Sequence, residues 1–119
     1  MKRVTLALAL AALAAAILAP LAAAHVSTTA ATTKVTVLAT DFKFKLSKTK
    51  VPTGTIVFTL VNKGKLPHDF KIAGKKTRLV SPKKSATLTV TITKKGKYAY
   101  LCTVPGHAAA GMKGVLTVT

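Results

Sequence analysis

Cys102, His107 and Met112 fall in one run, Cys102-Thr-Val-Pro-Gly-His107-Ala-Ala-Ala-Gly-Met112, which puts a thiol, an imidazole and a thioether on a single short loop. Thiolate and thioether are soft donors, imidazole suits copper, and two imidazoles with a thiolate and a weak, long thioether make the donor set of blue-copper electron-transfer centres. The run supplies three of the four. The fourth falls to His68, because the one other histidine, His25, stands at the edge of a segment that reads as removable.

Each of these residues also has a plainer reading. A lone cysteine is most often a buried, inert thiol, Met112 could be a core residue, and His68 a satisfied core or surface histidine. The spacing tips the balance: His107 and Met112 follow Cys102 at metal-ligand intervals, and His68 comes directly after Pro67 at the start of an apolar strand face. One cysteine cannot form an internal disulfide, although small exported domains often rely on them. A free exposed thiol in an oxidising compartment is open to oxidation, and coordination protects it.

The elements that must position these donors are strands. From Lys34 onward, apolar and polar residues alternate with a period of two. Val35 and Val37 share a face, Phe42, Phe44 and Leu46 alternate with Lys43 and Lys45, and Ile56, Phe58 and Leu60 follow the turn Pro52-Thr53-Gly54. His68, Phe70 and Ile72 fall on one side of the next strand, Leu88, Val90 and Ile92 alternate with threonines, and Tyr98, Tyr100 and Cys102 share a face before Val115 to Val118 closes the chain. Asn62-Lys63-Gly64, Gly74, Ser81-Pro82 and Lys95-Gly96 punctuate these runs as turns. The pattern predicts an all-β sandwich of seven or eight strands. His68 then points into the top of the core, and Cys102 ends a strand that must lie beside or opposite it.

The N-terminus has a different character. Met1-Lys2-Arg3 is a short basic start, Val4 to Leu18 is apolar apart from Thr5, and Ala22-Ala23-Ala24 offers small residues for cleavage. This is the layout of a secretory signal peptide, so residues 1–24 are expected to be a signal segment, 25–33 a loose leader and 34–119 the folded domain. A retained anchor is the alternative, but a spanning helix needs about 20 strongly apolar residues and Pro20 interrupts this run. The expected location is outside the cytoplasm, in the periplasm, the extracellular space or the cell envelope.

Nineteen Lys and Arg against two acids, Asp41 and Asp69, give the chain a formal charge of +17. A field of this sign speeds encounter with acidic partners and weakens with salt; it also keeps a protein soluble without any partner, and is compatible with peripheral association at a membrane surface. Nucleic acid is not expected, since no recognition motif accompanies the charge and the export signal argues against it. The expected state is a monomer.

Pro67-His68-Asp69-Phe70, Gly96-Lys-Tyr98-Ala-Tyr100-Leu-Cys102 and Cys102-x4-His107-x4-Met112 followed by Gly114-Val-Leu together resemble the cupredoxins, the small blue-copper proteins, over Lys34 to Thr119. The two four-residue gaps are more similar to those of auracyanins and rusticyanins than to those of plastocyanins. The resemblance implies an eight-stranded Greek-key β-sandwich, one type 1 copper ion held by His68, Cys102, His107 and Met112, and single-electron shuttling between exported or membrane-bound redox proteins, with an acidic docking surface expected on the partner. One edge of the His107 ring is expected to reach solvent through Pro105, Gly106 and Ala108 to Ala110. The position after the first ligand histidine is often Asn or Ser in this family and ties the two ligand loops together; here it is Asp69, which bears on the reduction potential. Gly111 and Gly114 are expected to let the loop approach the metal closely.

Other functions use some of the same residues. A copper storage or delivery protein of the cell envelope could hold the ion with this set, although delivery favours exposed, exchangeable donors. No enzyme is expected, because metal catalysis needs an open coordination position and four protein ligands leave none. A dinuclear copper centre needs a second cysteine, and a copper site built on His25 as a new N-terminus lacks a free second histidine.

Overall fold

Alternating sequence becomes strand wherever one side of it can be buried, and most of the chain after residue 32 does so. The computed structural model describes residues 14–17, 19–25 and 31–119. Its first sheet runs β2 (Lys43–Leu46), β1 (Thr33–Thr40), β4 (Gly54–Asn62), β7 (Ser85–Ile92). Its second runs β3 (Lys50–Val51), β9 (Lys113–Val118), β8 (Gly96–Leu101), β5 (Lys71–Ile72), β6 (Lys75–Lys76). β1 pairs parallel with β4 and β3 with β9, and the other neighbours are antiparallel. Among the described residues there are nine strands rather than seven or eight, because β3, β5 and β6 are two-residue pieces.

Between the sheets lies one apolar core. Val35, Val37, Ala39, Ile56, Phe58, Leu60, Val90 and Ile92 face it from the first sheet, and Val51, Ile72, Tyr100, Leu116 and Val118 from the second. Phe44, Phe58 and Tyr100 all pack on Phe70, with ring centroids 5.2 to 5.5 Å apart. Among the described residues there is no helix, and none long and apolar enough to cross a membrane. Much of the expected signal segment lies outside the described residues, and β1 opens at Thr33, the last residue of the expected leader.

Two departures from simple alternation matter for the site. Phe42 does not share the buried face of Phe44: it precedes β2 with φ of 75° and is 40% exposed. The run His68–Ile72 is not one continuous strand either; only Lys71–Ile72 pairs with β8, while His68 forms an isolated bridge to Val80. His68, Phe70 and Ile72 are nevertheless all buried. The β5–β6 hairpin turns through Ala73 and Gly74, both at positive φ, the conformation that matches the twist of a two-residue hairpin.

Candidate metal centre

Register brings the donors together. Lys71 opposes Leu101 across β5 and β8, so the segment before Lys71 and the one after Leu101 emerge from adjacent strands at the same end of the sandwich. His68 arrives from the first and Cys102 from the second. The loop after Cys102 is a series of turns: His107 N–H donates to Val104 C=O at 3.1 Å, Ala110 N–H to Gly106 C=O at 3.1 Å and Gly111 N–H to Ala108 C=O at 3.0 Å. It closes on itself where Met112 N–H donates to His107 C=O at 3.1 Å and Cys102 N–H to Met112 C=O at 3.0 Å.

His68, Cys102 and His107 offer donor atoms that all lie within 4.8 Å of one another. The Nδ1 atoms of His68 and His107 are 3.0 Å apart, and Cys102 Sγ is 3.7 Å from His107 Nδ1. Ligands bonded to one ion at about 2.0 Å for nitrogen and about 2.3 Å for sulfur stand roughly 3–4 Å from each other, so the three donors are spaced as ligands of a single metal ion. Met112 is fully buried, and backbone hydrogen bonds tie it to both Cys102 and His107.

His68 is oriented by a group that spacing in the sequence does not reveal. Asp41, in the turn between β1 and β2, accepts a 2.8 Å hydrogen bond at Oδ1 from His68 Nε2. A carboxylate can only accept, so the proton sits on Nε2 and the lone pair on Nδ1 faces the other donors. The same carboxylate accepts the Lys65 and Leu66 amides at 2.8 and 3.2 Å. The Lys65 amide above all, aided by His68 and Leu66, holds the Asp41 carboxyl below its ordinary pKa, against the opposing effect of partial desolvation. Gly64 makes room for this pairing, since a Cβ there would meet Asp41 and stand 3.0 Å from His68 Nε2.

Asn62 fixes the loop that delivers His68. Fully buried, it donates from Nδ2 to Leu66 C=O at 2.8 Å and Val80 C=O at 2.9 Å, and accepts the Gly64 amide at 2.9 Å. Asp69 then ties the two ligand segments across 34 residues: Thr103 N–H donates to its Oδ1 at 2.6 Å and the Thr103 hydroxyl to its Oδ2. The aspartate thus makes the inter-loop tie expected of this position. Burial pushes the Cys102 thiol up from its ordinary pKa; backbone hydrogen bonding near Asp69 and Val104 opposes this, while the Asp69 charge adds to it. A thiol in that state needs a cation to hold its thiolate form.

The loop carrying His107 presents small, uncharged residues, with Pro105, Gly106, Ala109 and Ala110 exposed. Phe42 closes one side of the imidazole edge-on, 5.2 Å between centroids, which is why it leaves the strand face. His107 keeps 8% of its surface in solvent and His68 none. Gly111, at φ of 129°, lets the loop pass Phe42, whose carbonyl oxygen a Cβ would meet at 3.0 Å. Gly114 serves Tyr100 rather than the metal donors: the phenol ring lies across it, where a Cβ would clash.

Sequence spacing singles out Cys102, His107, Met112 and His68, of which the structure groups the donor atoms of His68, Cys102 and His107; it does not point to Asp41, Asn62, Gly64 or Phe42. For Asp41 a signal does exist, in that it is one of only two acids in a chain with nineteen Lys and Arg.

A family model described as a cupredoxin-like domain matches residues 8–118. Over 43 residues, 36% of this chain and 18% of the relative, the sequence is 46% identical to Auracyanin-B of Chloroflexus aurantiacus. Over 40 residues, 34% of this chain and 22% of the relative, it is 55% identical to the copper-resistant cuproprotein CopI of Pseudomonas aeruginosa. These matches span about a fifth of the length of each curated relative. Among solved structures, a dithionite-reduced auracyanin from the photosynthetic bacterium Roseiflexus castenholzii superimposes with a TM-score of 0.67 and 26% identity, over 73% of this chain and 97% of that one.

Proposed function

The chain belongs to the cupredoxin-like family, and from that premise we propose that it is a blue-copper electron carrier in which His68, Cys102, His107 and Met112 hold one copper ion. The observation that carries this reading is the set of buried donors, two imidazole nitrogens and one thiol, within 4.8 Å of each other at the end of a rigid sandwich. Bound there, copper supplies reversible one-electron chemistry between Cu(I) and Cu(II).

The chain's own residues do the rest. Cys102 gives the thiolate, His68 and His107 give Nδ1 lone pairs, and Met112 gives the weak thioether. Asp41 fixes the His68 tautomer, and Asp69 with Thr103 locks the two ligand segments to each other. Because both loops are pinned to sheet ends by backbone hydrogen bonds, the donors resist rearrangement when charge changes, which keeps electron transfer fast. Phe42 and the turns around it exclude bulk water from the imidazoles. With four protein donors no open position remains for a substrate, so the reading is a carrier rather than an enzyme. The uncharged loop around His107 is the expected point of entry and exit, and export of residues 25–119 to the cell envelope fits the N-terminal pattern.

Storage or delivery of copper is a second reading, favoured by the likeness to a copper-resistant cuproprotein. One experiment separates the two. Copper(II) added to the purified apoprotein should give an intense blue colour that bleaches and returns over repeated reduction and oxidation, and Cys102→Ser should stay colourless. A colourless wild type, or rapid loss of copper to a weak chelator, would reject the carrier.

A further inference from the structure

The outer faces of the two sheets carry their lysines differently. On the first sheet the exposed side of β4 and β7 is largely threonine, with Thr55, Thr59, Thr87, Thr89 and Thr91, and lysine is confined to β1 and the edge strand β2. On the second sheet the strand register sets lysines in two rows. Lys76 opposes Lys71, which opposes Leu101, which opposes Lys113. Two residues further along, Ala99 opposes Val115. Two further again, Lys97 opposes Thr117, which opposes Lys50 on β3.

Directly opposed residues share a face, so five lysines frame an apolar centre of Leu101, Ala99 and Val115. Val115 is 50% exposed. With neighbouring strands about 4.8 Å apart and alternate residues about 7 Å apart along a strand, the two rows stand roughly 14 Å apart, the first about 14 Å long and the second about 10 Å. One carboxylate adjoins the face, that of Asp69, which is 5% exposed and bonded to Thr103 at its edge, against five lysines; the other acid, Asp41, is bonded to His68. The face also ends at Leu101, one peptide unit from Cys102.

We infer that the outer face of the β3-β9-β8-β5-β6 sheet is a docking surface for an acidic redox protein, separate from the uncharged loop around His107. A dry centre ringed by charge fits a carboxylate-rimmed apolar patch on the partner. Its lysines act as a field for encounter, and the small centre suits short-lived contact. The redox character of the partner rests on the carrier reading; the acidic docking itself does not, so it is measured independently of copper.

The test is an amide NMR titration of the full chain with oligo-L-glutamate at low and high salt. Shifts should concentrate at Lys50, Lys71, Lys97, Ala99, Leu101 and Val115 and collapse when the Debye length falls below about 10 Å. Lys71→Glu/Lys97→Glu/Lys113→Glu should lose at least tenfold in affinity, while Lys34→Glu/Lys45→Glu/Lys84→Glu, equal in total charge, should lose less than twofold. The neutral Lys→Gln triple at 71, 97 and 113 should also weaken binding and serves if the glutamate triple fails to fold. Equal losses from both glutamate triples, or shifts spread over the threonine face, would overturn the inference. So would capture by phosphatidylglycerol-containing vesicles with no response to oligo-glutamate, which would assign the face to lipid headgroups.

Discussion

Asp41 and His68, 27 residues apart, share a 2.8 Å hydrogen bond that decides which ring nitrogen of the histidine faces the metal donors. The carboxylate also places a full negative charge one imidazole away from the proposed ion. Asp41→Asn keeps an acceptor but removes the charge, so the oxidised, more positive ion loses stabilisation and the reduction potential should rise. Asp41→Leu removes the acceptor as well and should weaken copper affinity about 10–100-fold, as loss of a partner behind a ligand histidine typically does. Gly64→Ala, which intrudes between the two side chains, should reproduce the affinity loss. Redox titration and chelator competition measure both; an unchanged potential in Asp41→Asn would show that the carboxylate is not coupled to the site.

Asn62 converts a turn signal into a structural pin. Replacing it by Ala strips hydrogen bonds from Leu66 C=O, Val80 C=O and the Gly64 amide, and unsatisfied buried polar groups cost about 1–3 kcal/mol each. Since part of this cost is relieved by water at the exposed Leu66 end, a net loss of about 3 kcal/mol is expected, read from denaturant unfolding of the apoprotein. A loss within experimental error would mean that the loop preceding His68 holds its shape by other means.

What could be read from sequence alone was local or periodic. Strand faces were legible because burial on one side imposes a period of two, and Val35, Phe58, Val90 and Leu116 all fall inside as the alternation requires. The loop from Cys102 to Met112 is legible because Cys102, His107 and Met112 are close in sequence. Phe42 broke the period because packing on His107 outweighed the cost of a left-handed backbone, a tertiary effect with no local trace. Asp41 and Asn62 were hidden for a related reason: their partners are fixed by loop paths through space, and the residue types alone suit any turn. In sequence Gly114 reads as room for a metal, whereas the neighbour that needs the room, Tyr100, comes from the adjacent strand.

Gly114→Ala should therefore damage stability before it damages the metal donors. The new Cβ overlaps the Tyr100 phenol, and overpacking of this kind costs about 1–3 kcal/mol. Tyr100→Leu in the same molecule removes the overlapping ring and should recover part of the loss, a non-additivity expected of residues in contact. Thermal unfolding of the two single variants and the double variant completes the cycle. Strict additivity would mean that the glycine is needed for some reason other than the ring above it.

Tyr100 also couples the stability of the fold to alkaline pH. Burial raises its phenol above the ordinary value of 10.0, so the neutral ring is favoured in the folded state. Its contribution to stability is complete below pH 10 and is lost as pH climbs through the folded-state value, because the unfolded chain then releases the proton more readily. Phenolate absorbance of the wild type should show a component that appears late and coincides with loss of near-ultraviolet circular dichroism. Tyr100→Phe should abolish that component and flatten the decline of stability above pH 10. An early, fully reversible ionisation of Tyr100 without unfolding would show that its hydroxyl reaches solvent freely between β8 and β9.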